Sequence, residues 1–235
     1  MLETTASAPA ISLKNVSIGY HGVPIVSDLD LTVLPGELVA LFGANGAGKT
    51  TMLMAIAGEL PILGGELAVL GDSGHRSLYR RARSGLGLLS DDRSVFAQLT
   101  ARDNLRLGRG SVDKAIELFP ELEPHLGRRT GLLSGGQQQI LALARILAAE
   151  PKVILADELS LGLAPMVVTR LLAALRGAAE RGAAVLIVEQ HVQVALKAVD
   201  RAYVLSQGRI VLSETAERLR AHPDAIADLY FGGAG

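Results

Sequence analysis

Cysteine is absent from the 235 residues of this chain, which excludes disulfides, thiolate metal sites and thiol nucleophiles. A reducing compartment agrees with that absence. Long apolar runs are missing as well. Stretches such as 182–188 and 146–149 fall far short of the roughly 18 residues a membrane-spanning helix needs, so any association with a membrane is expected to come through partners. Nor is there an excess of charge of either sign. With 23 basic against 24 acidic residues the net charge is −1, which supplies no global field for nucleic acid. Residues 1–10 carry Glu3 and no basic side chain, unlike the charged start of a signal peptide, and read as a flexible lead-in.

What is present describes a globular protein, with 49% hydrophobic and 20% charged residues. Ile11–Tyr20 and 25–33 alternate loosely between apolar and polar residues around His21-Gly22-Val23-Pro24, which predicts an antiparallel hairpin. After the turn at Pro35-Gly36, Leu38–Phe42 is a short, wholly apolar strand, and a helix follows over 49–58. Further apolar runs at 85–89, 153–156, 183–188 and 203–205 alternate with helical patterns, notably 136–149 and Pro165–Glu180. Strands alternating with helices argue for an α/β fold whose mostly parallel sheet is covered on both faces. Residues 95–130 differ, having helical periodicity, two prolines and no strand candidate. They read as the start of a helical subdomain, about 95–150, inserted into a single domain spanning 11–235. From Ser213 on, one or two short surface helices are expected.

Gly43-Ala44-Asn45-Gly46-Ala47-Gly48-Lys49-Thr50 fits G-x-x-x-x-G-K-[ST] without a mismatch and stands between strand and helix, the context the motif requires. Even with 26 glycines in the chain, chance supplies roughly 0.006 such matches. Glycines let successive backbone N–H groups point at phosphate oxygens, with the helix start adding positive potential. Lys49 would reach the β/γ-phosphates of ATP, and the Thr50 hydroxyl, followed by Thr51, would ligate Mg²⁺. Downstream, Val153-Ile154-Leu155-Ala156 ends in Asp157-Glu158. An Asp at such a strand end helps hold the metal, and Glu158 just beyond it could orient and deprotonate the attacking water. The plain alternative is two acids that merely terminate a strand. Leu133-Ser134-Gly135-Gly136-Gln137 precedes another helical run, with Ser134 as a capping residue and glycines exposing N–H groups. By itself it reads as a capped helix or as a second anion site.

Together these segments resemble the ABC ATPases: Leu-Ser-Gly-Gly-Gln stands about 20 residues before an apolar strand ending Asp-Glu, and the likeness runs from about residue 11 to 208. The resemblance implies a P-loop core with an N-terminal antiparallel β region and an inserted helical subdomain. It implies that Tyr20 stacks on adenine, and that Ser134, Gly135, Gly136 and Gln137 meet the γ-phosphate held by another subunit in a head-to-tail dimer. Within the family, Ser160-Leu161-Gly162-Leu163-Ala164-Pro165, Val188-Glu189-Gln190 and Val95-Phe96-Ala97-Gln98-Leu99-Thr100 with Asn104-Leu105 resemble the ATP-binding subunit of branched-chain amino acid importers. That branch implies transmembrane permease subunits, a related but non-identical second ATPase, a solute-binding protein met indirectly, and a peripheral place at the cytoplasmic face of the membrane.

Four positions depart from the general family pattern. Asp91 stands where a Gln usually touches Mg²⁺ and water; the branch commonly has Glu, and Asp reaches one methylene less far. Leu159 replaces a proline, which relaxes the backbone after Glu158. Ala164 replaces an Asp that contacts the other subunit. Gln190 takes the place of the γ-phosphate-sensing His, with His191 one position late and read as a rim residue. His21, His75, His125 and His222 have no metal-ligand spacing, and Arg76, Arg80, Arg81 and Arg83 read as a solvated helix face. The groove near 91–105 is expected to receive a helix of the permease. Two other functions stay open: an ABC ATPase acting on DNA or the ribosome, and the weakly hydrolysing half of a heterodimer.

Overall fold

The computed structural model describes residues 7–90 and 95–221. Strands β1 (Ile11–Tyr20) and β2 (Val23–Val33) form the expected hairpin, but its turn is tighter than the sequence suggested. Only His21 and Gly22 remain outside the strands, at φ 52° and 81°. Positive φ at both positions suits the twist of a two-residue hairpin. Pro24 therefore sits inside β2, which it can do because β2 is an edge strand.

Strand β3 (Leu38–Phe42) leads through the P-loop into α1 (Lys49–Ala57), which Gly58 closes at φ 90°. Then comes β4 (Ile62–Val69), which completes a three-stranded antiparallel sheet in the order β2-β1-β4. Its apolar alternation is weak, and Gly64-Gly65 interrupt it. Gly65 is needed there, since a Cβ would lie 2.2 Å from the Asn15 carbonyl oxygen.

Helix α2 (Leu78–Ser84) precedes β5 (Leu86–Leu89). Between β5 and the next strand the described residues hold no strand, only an isolated antiparallel bridge between Thr100 and Arg129 and a series of helical elements: α3 (Ala101–Arg106), α4 (Val112–Leu118), two 3-10 segments at Pro120–His125 and Thr130–Leu132, and α5 (Gly135–Leu147). Asn104 organises this part from complete burial. Its Nδ2 donates to Thr130 Oγ1 at 2.7 Å and to the Phe96 and Thr100 carbonyls, while its Oδ1 accepts from the Phe96 amide. A buried amide is tolerable because it is fully partnered.

The remaining elements are β6 (Val153–Asp157), α6 (Pro165–Glu180), β7 (Ala184–Val188), a short α7 (Val192–Ala195), β8 (Arg201–Ser206), β9 (Arg209–Thr215) and α8 (Ala216–Ala221). They build a six-stranded sheet in the order β5-β6-β7-β3-β8-β9, parallel throughout except for β9. Ser213 belongs to β9, so the helical end begins three residues later than expected. β9 turns back on β8 through Gln207 and Gly208, both at positive φ.

The central strands read as unbroken apolar runs because both faces are covered. Leu38, Ala40 and Phe42 join one core with Ile154, Ala156, Val185 and Ile187, under α5 and α6. Val39, Leu41, Val153, Leu155, Ala184, Leu186 and Val188 face the other core, with α1 and the antiparallel sheet. The arrangement leaves the carboxyl ends of β3, β7 and β6 side by side, where ligands bind open parallel sheets.

One expectation is overturned here. Arg81 is not part of a solvated face; it is 6% exposed, and its guanidinium donates to the carbonyls of Ala55 (3.0 Å) and Ile56 at the end of α1. A cation there complements the helix dipole. Helical spacing grouped four arginines, but only packing against α1 selects the one that turns inward.

Candidate nucleotide site

The loop after β3 is shaped by two close approaches. Gly43 passes so near β8 that a Cβ would lie 2.4 Å from the Leu205 carbonyl oxygen, and a Cβ at Gly48 would meet Val26 Cγ1 at 2.3 Å. Gly48 also holds φ 104° as the residue before α1, and no side chain caps the helix. The first-turn amides of α1, from Lys49 to Thr51, thus have no intrahelical acceptor. Asn45 and Thr50 are exposed, Gly46 lies between them at φ 79°, and Ala47 is buried beneath the loop.

Lys49 turns inward. At 5% exposure its Nζ donates to the carbonyls of Gly43 (2.8 Å) and Ala44 (3.0 Å), so the ammonium spans the loop that it follows. Burial pushes its pKa down, while the carboxylates of Glu158 and Asp157 pull it up. The structure therefore brings the P-loop lysine and the acidic pair into one electrostatic group, although over 100 residues of chain separate them.

Asp157 is the buried last residue of β6, 4% exposed, paired with Val188 across to β7. Glu158 leaves the strand at φ 44°, a left-handed conformation that costs a non-glycine residue about 1–3 kcal/mol. Its amide donates to the Val188 carbonyl at 3.1 Å, and its Oε1 accepts from Gln190 Nε2 at 2.7 Å. Gln190 thus meets Glu158 directly. His191 lies exposed, just before α7.

Next to that pair is a second contact with no counterpart among the site residues read from sequence. Glu189 is 1% exposed and accepts from Ser160 Oγ at 2.5 Å. Burial pushes the Glu189 carboxyl up from the usual range, against the pull of the Ser160 hydroxyl. The segments holding both residues were visible as family-like stretches, but nothing in either stretch signals the contact.

Ser134-Gly135-Gly136-Gln137 forms a reciprocal cap. Ser134 Oγ accepts from the Gln137 amide, and Gln137 Oε1 accepts from the Ser134 amide at 2.9 Å. Gln137 Nε2 lies 2.9 Å from His125 Nε2, a partner that spacing along the chain did not reveal. Helix α5 belongs to the opposite face of the sheet from α1. Within one chain, then, the 134–137 cap and the P-loop are not brought together.

Tyr20 ends β1 with 45% of its surface exposed, opposite Val23, on the same hairpin whose Ile25 and Val26 back Gly48. A flat apolar face beside the phosphate loop can take a base. Asp91 and the stretch 91–94 lie outside the described residues, as does His222. Part of the groove expected near 91–105 therefore lies outside the described residues as well. A separate cavity of about 590 Å³ runs along the outer edge of β5, bordered by Arg83, Gly87, Arg109, Arg145 and Lys152.

For a divalent ion the chain offers the Thr50 hydroxyl and the Asp157 carboxylate. Among the described residues no group of three or more His, Asp or Glu side chains could hold a metal unaided. Hard oxygen donors that leave positions for water and phosphate suit Mg²⁺. No helix among the described residues is long and apolar enough to cross a membrane.

Comparison with known proteins matches residues 26–160 to the family described as ABC transporter. The high-affinity branched-chain amino acid transport ATP-binding protein BraG of Pseudomonas aeruginosa is 38% identical over 95% of this chain and 100% of its own length. The lipopolysaccharide export system ATP-binding protein LptB of Escherichia coli K12 is 36% identical over 94% of this chain and 97% of its own. Among solved structures, the ATP-binding cassette MJ0796, in a dimeric post-hydrolysis state bound to ADP and Pi, superposes with a TM-score of 0.74 at 27% identity, covering 88% of this chain and 98% of that one.

Proposed function

This chain belongs to the ABC transporter family as an ATP-binding and ATP-hydrolysing cassette, and we propose that it powers an importer of branched-chain amino acids or related small polar solutes. The observation that carries the hydrolytic part is the 2.7 Å hydrogen bond between Gln190 and Glu158 at the strand ends beside Lys49. The solute class rests on the likeness to BraG.

In this reading the amides from Gly43 to Thr51 and the Lys49 ammonium hold the β- and γ-phosphates of ATP, with Tyr20 against the base. Mg²⁺, held by Thr50, Asp157 and Asp91, would neutralise charge on the phosphate oxygens. Glu158 accepts a proton from water as its oxygen attacks the γ-phosphorus. The bond to the β,γ-bridging oxygen breaks, and ADP and phosphate result. Gln190 orients the Glu158 carboxylate by donating to it. Because α5 lies across the sheet from α1, the 134–137 cap serves a nucleotide on a second cassette, here a related, non-identical chain in a head-to-tail pair. The basic groove along β5 receives a helix of the permease, which keeps the chain peripheral at the cytoplasmic face. No nucleic acid partner is involved.

LptB favours a second reading, lipopolysaccharide export, at nearly the same identity. Uptake of radiolabelled leucine in a strain lacking this chain separates the two. Import predicts lost uptake, restored by the wild-type chain and not by Glu158→Gln. Undiminished uptake in the deleted strain refutes the solute class, and rescue by Glu158→Gln refutes the role of Glu158. Affinity purification from detergent-solubilised membranes should recover multi-spanning subunits and a second P-loop ATPase; recovery of ribosomal or DNA-repair proteins alone would overturn the transport reading.

A further inference from the structure

We infer that Glu189 is a positioning residue for ATP hydrolysis, its buried carboxyl holding Ser160 and, through Ser160, the turn that sets Glu158 against Gln190. The inference rests on the reading of Glu158 as the general base.

Three observations carry it. First, the turn after β6 needs an external hold. Glu158 sits at φ 44°, a strained conformation that persists only where its surroundings over-determine it. Leu159 is fully buried but leaves its own φ free, as a proline would not. Inside the turn there are only backbone bonds, from Leu161 to the Glu158 carbonyl and from Leu163 to the Ser160 carbonyl, both 3.2 Å.

Second, the hold runs between the two loops that carry the chemistry. β6 and β7 are neighbours, with Asp157 level with Val188. Beyond those residues the loops are tied by the Glu158 amide to the Val188 carbonyl, by Gln190 to Glu158, and by Ser160 Oγ to Glu189 Oε2 at 2.5 Å. Glu189 is itself anchored, since its amide donates to the Leu41 carbonyl of β3 at 3.2 Å. The side chains at 189 and 190 thus grip residues 160 and 158, and a displacement of one contact moves the other.

Third, the carboxyl engages the turn through its backbone as well as its hydroxyl, since the Ser160 and Gln190 amides also act on it. Ser160 and Glu189 are 5% and 1% exposed, and Glu189 Oε1 has no hydrogen-bond partner among the described residues. An apolar side chain there would leave the Ser160 hydroxyl buried without its acceptor.

The test is single-turnover ATP hydrolysis by the full chain in its purified complex with the second cassette, with the chain's ATP affinity measured by calorimetry and its folding checked by circular dichroism. Ser160→Ala removes one buried oxygen and should slow the hydrolytic step about tenfold while ATP affinity stays within about twofold. Glu189→Gln keeps a carbonyl acceptor for the Ser160 hydroxyl and should stay within about threefold of wild type. Glu189→Met removes the acceptor of both the Ser160 hydroxyl and the Ser160 amide and should slow hydrolysis at least as much as Ser160→Ala, and the double variant should be no slower than Glu189→Met. A Ser160→Ala rate within twofold of wild type overturns the inference. So does a double variant in which the two losses multiply, or a Glu189→Gln rate as low as that of Ser160→Ala. If Glu189→Met does not fold, the other two substitutions decide the question alone. Glu158→Gln, run alongside, tells the two readings apart: undiminished hydrolysis there removes Glu158 as the base, whereas a silent Glu158→Gln with a normal Ser160→Ala removes only the hold on Ser160.

Discussion

Adding one methyl group at Gly48 should destabilise the protein through two separable contributions. The residue holds φ 104° immediately before α1, a left-handed conformation that costs an L-residue about 1–2 kcal/mol. The new Cβ would also lie 2.3 Å from Cγ1 of Val26, a core residue only 1% exposed. Overpacking of this kind costs about 1–3 kcal/mol. The sum, about 2–5 kcal/mol, corresponds to a fall in melting temperature of roughly 4–20 °C for a chain of this size. Thermal and urea unfolding of the nucleotide-free protein measure it. Val26→Ala by itself leaves a small cavity and should cost about 2 kcal/mol. In the Gly48→Ala background it also removes the obstructing methyl, so its cost should shrink by about 1–3 kcal/mol, leaving the backbone share of the damage in place. Strict additivity of the two substitutions would refute the steric reasoning, and a Gly48→Ala protein as stable as wild type would refute both parts.

Glu158→Gln conserves volume and leaves an oxygen for Gln190 to donate to, so ATP affinity should hold while turnover falls about 10²–10⁴-fold; continued multiple turnover near the wild-type rate would remove Glu158 as the base. Lys49→Ala strips the loop of its ammonium and of the bonds to the Gly43 and Ala44 carbonyls, and calorimetry should show a large loss of ATP affinity, an unchanged isotherm contradicting the assignment. Arg81→Met keeps bulk but leaves the Ala55 and Ile56 carbonyls without their donor, which should cost about 1–3 kcal/mol in urea unfolding; no measurable change would return Arg81 to the solvated face. Ser134→Ala removes the hydroxyl half of the cap, the bond from the Gln137 amide, and should cost about 1 kcal/mol, an effect absent if the hydroxyl is merely exposed.

Legibility followed the range of the interactions involved. The wholly apolar β3, β6 and β7 were readable because each face of a doubly covered sheet demands apolar side chains, so the pattern survives in consecutive residues. The ends of α1 and α6 were equally plain, marked by Gly58 and Pro165. β4 and β9 were not. β4 is interrupted by Gly64-Gly65, and β9 is a half-exposed edge strand whose alternation includes Arg209, Ser213 and Glu214. Both acquire strand geometry from a partner, β1 or β8, and not from their own periodicity. The hairpin turn was drawn too long because Pro24 discouraged a strand assignment that an edge position permits.

The sequence by itself determined the phosphate loop, its place between strand and helix, the acidic pair ending an apolar strand, and the serine cap of α5. Each is a property of consecutive residues, set by φ preference, hydrogen-bonding type and burial period. Tertiary structure decided which of these meet. Sheet order put β7 between β3 and β6, and so placed Gln190 against Glu158, Glu189 against Ser160, and Lys49 within the field of both acids. Packing of α2 on α1 chose Arg81 from four arginines, and the placement of α5 across the sheet kept Ser134 away from the loop of its own chain. Those pairings span 25 to more than 100 residues of chain, and they follow from burying two faces of one sheet at once, a constraint that no local stretch of sequence contains.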